Sequence, residues 1–209
     1  MLKLYGYERS PATFRVRIVL GLKGIACEQV AVDLPGDEHK SRAYRRINPQ
    51  GVVPYLEEGE WGVGQSLAIM EYLDETYPAY PLLPSSPEER ALTRQIVNML
   101  ACDLHPLASE RVHTYLTQHF SLRDPQCDAW YQHWAQETFI ALEKVLGSCS
   151  GLFCVGDEVT LADCVLIPEL YVARRNGVDV THYPTLLRIF DHCMSLHAFA
   201  DAAPATSAV

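Results

Sequence analysis

The sequence has no hydrophobic run approaching the ~18 residues of a membrane-spanning helix, so no segment is expected to cross a bilayer. It has no surplus of positive charge. Its 17 Lys and Arg face 26 Asp and Glu, a formal net charge of −9, which argues against nucleic acid and anionic membrane as partners. It has no Cys-x-x-Cys and no zinc-ligand spacing, so no metal site is expected. Its seven cysteines, Cys27, Cys102, Cys127, Cys149, Cys154, Cys164 and Cys193, are odd in number and scattered. That pattern suits reduced thiols in a cytoplasm better than a disulfide framework, most of them small buried apolar residues. The start, Met1-Leu2-Lys3-Leu4-Tyr5, lacks the basic, apolar, small-residue order of a secretion signal and reads directly as a strand. Internal repeats and low-complexity blocks are also missing.

What is there is an ordinary globular composition. The chain has 209 residues, 48% apolar and 21% charged, enough for one large domain or two small ones with a real core. Residues 2–7 alternate in polarity and predict a strand. Phe14, Ile18, Leu20 and Leu22 suit a helix from Pro11 to Lys23, closed by Gly24. A second strand is expected from Glu28 to Leu34, and Pro35-Gly36-Asp37 then breaks the chain. A short helix follows over Lys40–Ile47. Two short strands, Pro54–Glu58 and Trp61–Val63, flank a Glu-Gly-Glu turn, and a helix runs from Ser66 to about Glu75. This order, βαβ then helix, ββ, helix, is that of a thioredoxin-like domain. In such folds the peptide before the third strand's proline is cis, so a cis Val53-Pro54 bond is expected.

The Pro-rich stretch from Tyr77 to Pro84 separates this α/β part from an all-helical remainder. The expected organisation is a thioredoxin-like domain over 1–80, a linker over 81–85 and an all-α domain over 86–209. Ser86-Pro87-Glu88-Glu89 predicts a helix start, with Ser as N-cap and Pro at the first position. That helix can run past Leu100, kinked by Pro106. A second helix is expected over Asp128–Leu146. Thr160-Leu161-Ala162-Asp163 is a capping box, with Val159 and Cys164 placed as its hydrophobic staple. The helix it opens carries Pro168 and ends near Asn176-Gly177. A last helix is expected from Thr185 to Met194, and a frayed tail over Ala202–Val209.

Three short stretches suggest chemistry. Ser10 ends a strand and opens a helix, where a hydroxyl and a helix N-terminus can stabilise a thiolate. Val53-Pro54 before a short strand offers backbone hydrogen bonds to an extended peptide. Gln65-Ser66 at a helix start can hold a carboxylate. Together they describe a pocket for a small thiol peptide. Tyr5 or Tyr7 at the end of the first strand is an alternative thiol partner.

These stretches, with Arg15-Val16-Arg17-Ile18, Asn48-Pro49-Gln50-Gly51-Val52-Val53-Pro54, Cys102-Asp103-Leu104-His105-Pro106-Leu107, Thr160–Cys164 and Val178-Asp179-Val180-Thr181-His182-Tyr183-Pro184, resemble the cytosolic glutathione transferases. Within them the zeta class, with its maleylacetoacetate and maleylpyruvate isomerases, is the best resemblance, and it runs through nearly the whole chain. The His-Pro-Leu and Val-Asp-Val-Thr-x-Tyr-Pro stretches are its most specific markers. The resemblance implies a homodimer with a thioredoxin-like N-terminal domain and an all-α C-terminal domain. It implies glutathione as cofactor, with Ser10 catalytic and Ser10, His39, Gln50, Val53, Pro54, Gln65, Ser66, His105 and Ser109 in contact with glutathione. It implies a small anionic substrate held by Arg9, Arg175 and, more weakly, Arg111. The reaction would be a cis–trans isomerisation through reversible addition of the thiolate, with no glutathione consumed. Arg15, Arg17 and Arg174 are expected to be structural.

Two departures from the family pattern matter. Pro11-Ala12-Thr13 stands where relatives follow the Ser with Ser-Cys or Ser-Ala, leaving Thr13 as the only substitute hydroxyl. Ala108-Ser109-Glu110-Arg111 stands where maleylpyruvate isomerases carry Asn-Asn and two arginines, so one cation becomes an anion. Both favour an alternative: a transferase, dehalogenase or peroxidase acting on small electrophiles. A further alternative is a non-catalytic binding protein on the same fold.

Overall fold

The computed structural model describes residues 1–205, and these form two compact units. One comprises Met1–Pro81 together with the chain from Leu196 onward, the other Leu82–Ser195.

The first unit is built on a four-stranded sheet of order β2-β1-β3-β4. Its strands are β1 (Leu2–Gly6), β2 (Cys27–Ala31), β3 (Tyr55–Glu58) and β4 (Trp61–Gly64). β1 and β2 are parallel, joined through α1 (Pro11–Leu22), whereas β3 runs antiparallel to both β1 and β4. The parallel pair needs the helical crossover, and the antiparallel pair only the tight turn at Gly59, which has φ +64°. α3 (Ser66–Thr76) packs beside α1. Leu4, Phe14, Ile18, Leu56, Ile69, Met70 and Leu73 are fully buried and make the core.

Several boundaries differ from the sequence expectation. β2 starts at Cys27 and stops at Ala31, three residues before Leu34. After Val32, whose N–H bonds Gly6, the chain turns at Asp33, which accepts the Gly36 N–H at 3.0 Å. The helix expected over 40–47 divides into a 3₁₀ turn (Glu38–Lys40) and the short α2 (Tyr44–Ile47). The expected cis Val53-Pro54 bond is present.

The second unit is helical. Ser86 caps α4 (Pro87–Asn98), accepting the Glu89 N–H at 3.4 Å. The path continues as a π-helical segment, Met99–Leu104, and then α5 (His105–Leu107). The break expected at Pro106 is thus a widened turn just ahead of it, where a proline lacks its own N–H and crowds the carbonyl four residues back. α6 (Glu110–Phe120) was not expected and α7 (Asp124–Cys149) is longer than the 128–146 predicted. α6 has no buried residue, although Val112, Tyr115 and Leu116 recur along it at helical spacing. α8 (Leu161–Arg175) opens on the predicted capping box. Asp163 accepts the Thr160 N–H (2.8 Å), the Thr160 hydroxyl (3.0 Å) and the Cys154 N–H (2.8 Å). Residues 161–170 are all buried, as suits the central helix of a unit. α9 (Pro184–Met194) follows.

The chain then returns to the first unit through α10 (His197–Ala200), which packs on α1. The tail expected to fray from Ala202 is tied down as far as it is described. Arg17 Nε donates to the Ala202 carbonyl (3.0 Å), and the Ala205 N–H donates to Glu8 (3.0 Å). Residues 206–209 lie outside the described residues.

Candidate active site

In the first unit the candidate side chains Ser10, Gln65 and Ser66 sit where strands hand over to helices. Ser10 is the N-cap of α1, with extended backbone (φ −74°, ψ 121°). Its Oγ accepts the Thr13 N–H at 3.2 Å. A hydroxyl has two acceptor sites and one proton, so the proton remains to be donated. Thr13 does not supply a second hydroxyl. It is 1% exposed, and its Oγ1 accepts the Tyr7 N–H at 3.4 Å. Its methyl leaves no room for a side chain at Gly6, where a Cβ would lie 2.4 Å from it. Tyr5 is engaged elsewhere, donating to Glu57 at 3.2 Å, and burial together with that carboxylate pushes its phenol pKa up. It is a poor partner for a thiol.

The loop before β3 is shaped by Asn48, which sequence reading left unassigned. This buried side chain donates to the Val52 carbonyl (2.7 Å) and accepts the Gln50 N–H (3.2 Å). The Tyr44 hydroxyl bonds the same carbonyl at 2.8 Å. Val53 follows, just outside the β1–β3 ladder that ends at Tyr5–Tyr55. Among the described residues its N–H and C=O have no protein partner. Gln50 and Gln65 are brought together, Gln65 Nε2 donating to Gln50 Oε1 at 2.7 Å. Gln65 has φ +68° and ψ 114°, a conformation that a side chain with a Cβ adopts only at a cost.

Ser66 begins α3 and is buried. Its Oγ accepts from Arg15 Nη1 at 3.1 Å. Arg15 is 2% exposed, a charged residue set in the core-facing side of α1. It is structural, as expected, and its structural task is to hold Ser66. An arginine between Phe14 and Val16 in an apolar helix was the available signal. Arg17 is structural too, bonded to the Ala202 and Glu8 carbonyls. His39 lies in the 3₁₀ turn, its Nδ1 shielded from solvent and without a hydrogen-bond partner. Arg9 is exposed in the turn before Ser10. Glutathione fits these groups: a hydroxyl proton, an unpaired strand edge, a shielded imidazole nitrogen and a serine at a helix N-terminus.

In the second unit, His105 Nδ1 lies 3.1 Å from Glu169 Oε1, and Glu169 is 1% exposed on α8. Ser109 donates to the Pro106 carbonyl at 2.7 Å and precedes α6. Arg111 is exposed on α6. Arg175 is exposed in the last turn of α8, whereas Arg174 stacks on Phe190, its Cζ 5.0 Å from the ring centre. Tyr131 on α7 is buried with its hydroxyl unpartnered. Burial and the Glu169 carboxylate raise its pKa, and the Arg175 charge opposes them.

Comparison with known proteins bears on this geometry. Residues 4–85 match the glutathione S-transferase N-terminal domain and residues 132–197 the glutathione S-transferase C-terminal domain. A probable maleylacetoacetate isomerase of Vibrio cholerae is 42% identical, over 97% of this chain and 95% of its own length. The chain belongs to the glutathione S-transferase family. Among solved structures, the holo form of a maleylpyruvate isomerase, described as a bacterial zeta-class glutathione S-transferase, superposes with a TM-score of 0.95 at 39% identity. It covers 99% of this chain and 98% of its own. The maleylacetoacetate isomerase of Methylobacterium extorquens AM1, with malonate and glutathione bound, gives 0.94 at 40% identity, over 97% and 96%. The thioredoxin-like plus all-helical architecture expected for this glutathione transferase is therefore the one observed. All seven cysteines are free thiols, and four (Cys127, Cys154, Cys164, Cys193) are buried. Among the described residues no cluster suits a metal, and no helix is long and apolar enough to cross a membrane.

Proposed function

We propose that the protein is a glutathione-dependent cis–trans isomerase of maleylacetoacetate or maleylpyruvate. The observation that carries this reading is Ser10: a hydroxyl with its proton uncommitted, at the N-terminus of α1, in a chain similar along its length to proteins named as these isomerases. Glutathione, when bound, supplies a thiolate that adds reversibly to the substrate's double bond, so that the bond can rotate. The chain's own part is binding, orientation and charge. Ser10 donates to the sulfur, and the positive end of the α1 dipole, where the Ala12 N–H is unbonded among the described residues, favours its negative charge. The Val53 backbone pairs with the cysteinyl part. Gln65, backed by Gln50, and Ser66, held by Arg15, take the γ-glutamyl carboxylate at the start of α3. His39, His105 and Ser109 complete the glutathione contacts. Arg9 and Arg175, with Arg111 as the weaker contributor, hold the substrate's carboxylates, for which the guanidinium fork is suited.

Pro11 and the buried Thr13 leave Ser10 as the sole hydroxyl at the start of α1, and Glu110 is exposed at the start of α6. These two observations favour, as a second reading, a transferase acting on other small electrophiles. In both readings the working form is a homodimer in the cytoplasm. Exposed Ile140 on α7, beside an apolar groove of about 300 Å³ lined by Met99, Leu107, Trp134 and Ala141, supports a covered face there.

Titrating the thiolate absorbance of the protein–glutathione complex tests the catalytic reading. A midpoint at least one unit below the ~8.5 of a free thiol is expected. Binding with no shift would point instead to a non-catalytic binding protein.

A further inference from the structure

His105 is the imidazole of the second unit proposed as a glutathione contact, and its ring is tied at one nitrogen. Nδ1 lies 3.1 Å from Oε1 of Glu169. Glu169 sits in the fully buried run of α8, one residue after Pro168, and is 1% exposed. As a carboxylate Glu169 can only accept, and the shared proton would then sit on the imidazole nitrogen. The opposite nitrogen, Nε2, has no protein partner among the described residues, and the His105 side chain is 27% exposed. The ring therefore has one nitrogen anchored in the core and one facing outward. His105 itself is followed by Pro106 in a three-residue helix. It closes the helical path that runs on from α4, and the bond to Glu169 ties the ring to a second helix, α8.

We propose that Glu169 is the positioning residue of this site. It fixes His105 in the Nδ1–H tautomer and sets the ring plane, so that Nε2 is presented as a ready-made acceptor for a peptide N–H of the bound thiol. The logic is that of a histidine whose working nitrogen is defined by the bond that the other nitrogen makes. A glutamate in the apolar interior of a helix is costly unless it is paired. Orienting a ligand-facing imidazole gives that cost a purpose. The inference rests on the reading of His105 as a glutathione contact.

The test is a tautomer measurement combined with kinetics on the full chain. In protein labelled with ¹⁵N-histidine, long-range ¹H–¹⁵N spectra assign the proton of His105. The expected result is Nδ1–H, the less favoured form of a free imidazole. Glu169→Gln keeps an acceptor and should retain this tautomer, with KM for glutathione within about threefold. Glu169→Leu should release the tautomer and raise that KM about tenfold, with a much smaller fall in kcat. Combining it with His105→Ala should add nothing further, because both changes remove the same interaction. Wild-type His105 in the Nε2–H form overturns the proposal even if the Leu variant does not fold. A correct tautomer with an unchanged glutathione KM in His105→Ala overturns the site assignment instead, and separates that failure from one of the Glu169–His105 pair.

Discussion

Ser10 is asked to do at residue scale what a first cysteine does in a thioredoxin, except that here the sulfur arrives with the ligand. Its hydroxyl accepts from the Thr13 N–H and keeps a proton for the thiolate. With Thr13 buried against Gly6, no neighbouring hydroxyl can take over. Ser10→Ala should therefore return the bound thiol to the ordinary range and lower kcat/KM roughly 100-fold, the usual effect of removing one donor from a developing anion. Gln65 is a different case. Its φ of +68° is unfavourable for any residue with a Cβ, yet its amide is paired with Gln50. Gln65→Gly should raise the unfolding midpoint, by an amount corresponding to about 1 kcal/mol. The same change should weaken glutathione binding, which a calorimetric titration would read. A glycine variant that binds glutathione as tightly as the wild type would remove the Gln65 amide from the site.

At the scale of the element, what could be read from the sequence was whatever had a local chemical cause. Thr160 and Asp163 announced the start of α8, and Ser86-Pro87 that of α4, because each satisfies N–H groups that any helix start leaves open. The serine-led helices α1 and α3 were legible for similar reasons, whereas the cis bond before Pro54 was expected only from the thioredoxin-like order of elements. α6 was missed although Val112, Tyr115 and Leu116 recur at helical spacing: the helix is short, holds few apolar residues and packs none of them into the core. The split of the 40–47 region was also hidden, since it depends on Asp33 and Ser41 capping short turns. Within the site, Ser10, Gln65 and Ser66 were visible as types at helix starts. Arg15 and Glu169 were not seen as functional, because each reaches a side chain on another element, and Asn48 because its bonds to Val52 and Gln50 exist only once the loop is folded. The helix starts also predict pH behaviour. The Glu88 carboxylate, bonded by its own backbone N–H and by Ser86, titrates below its usual 4.5. A lowered acid stabilises the fold above the unfolded value and loses that contribution as pH falls through the folded one. Glu88→Gln should thus lose stability at pH 6 but show a shallower decline between pH 5 and 3. Identical wild-type and variant curves would contradict the cap.

For the whole molecule, the two units are not simply consecutive in sequence. The chain from Leu196 returns to the first unit, with Phe199 fully buried and Ala198 lying against Gly21 of α1. No sequence pattern announced this return, since a four-residue helix has too few positions to show a period. Phe199→Ala should cost about 3–5 kcal/mol, seen as a lower denaturant midpoint with an unchanged slope. A negligible loss would mean that the C-terminal return is ornamental to the first unit. The acidic whole-molecule balance of −9 also means that an anionic substrate must be drawn in by local cations rather than by the general field. Arg175→Met should then raise KM for a carboxylate substrate about tenfold while leaving glutathione binding intact.

Glutathione is expected to act here as a catalyst rather than a reagent. The most direct measurement is conversion of maleylpyruvate and maleylacetoacetate by the purified protein, with and without glutathione, while free thiol is followed. Formation of the trans isomer only when glutathione is present, at constant free thiol, is expected. Glutathione binding without isomerisation of either compound would contradict it.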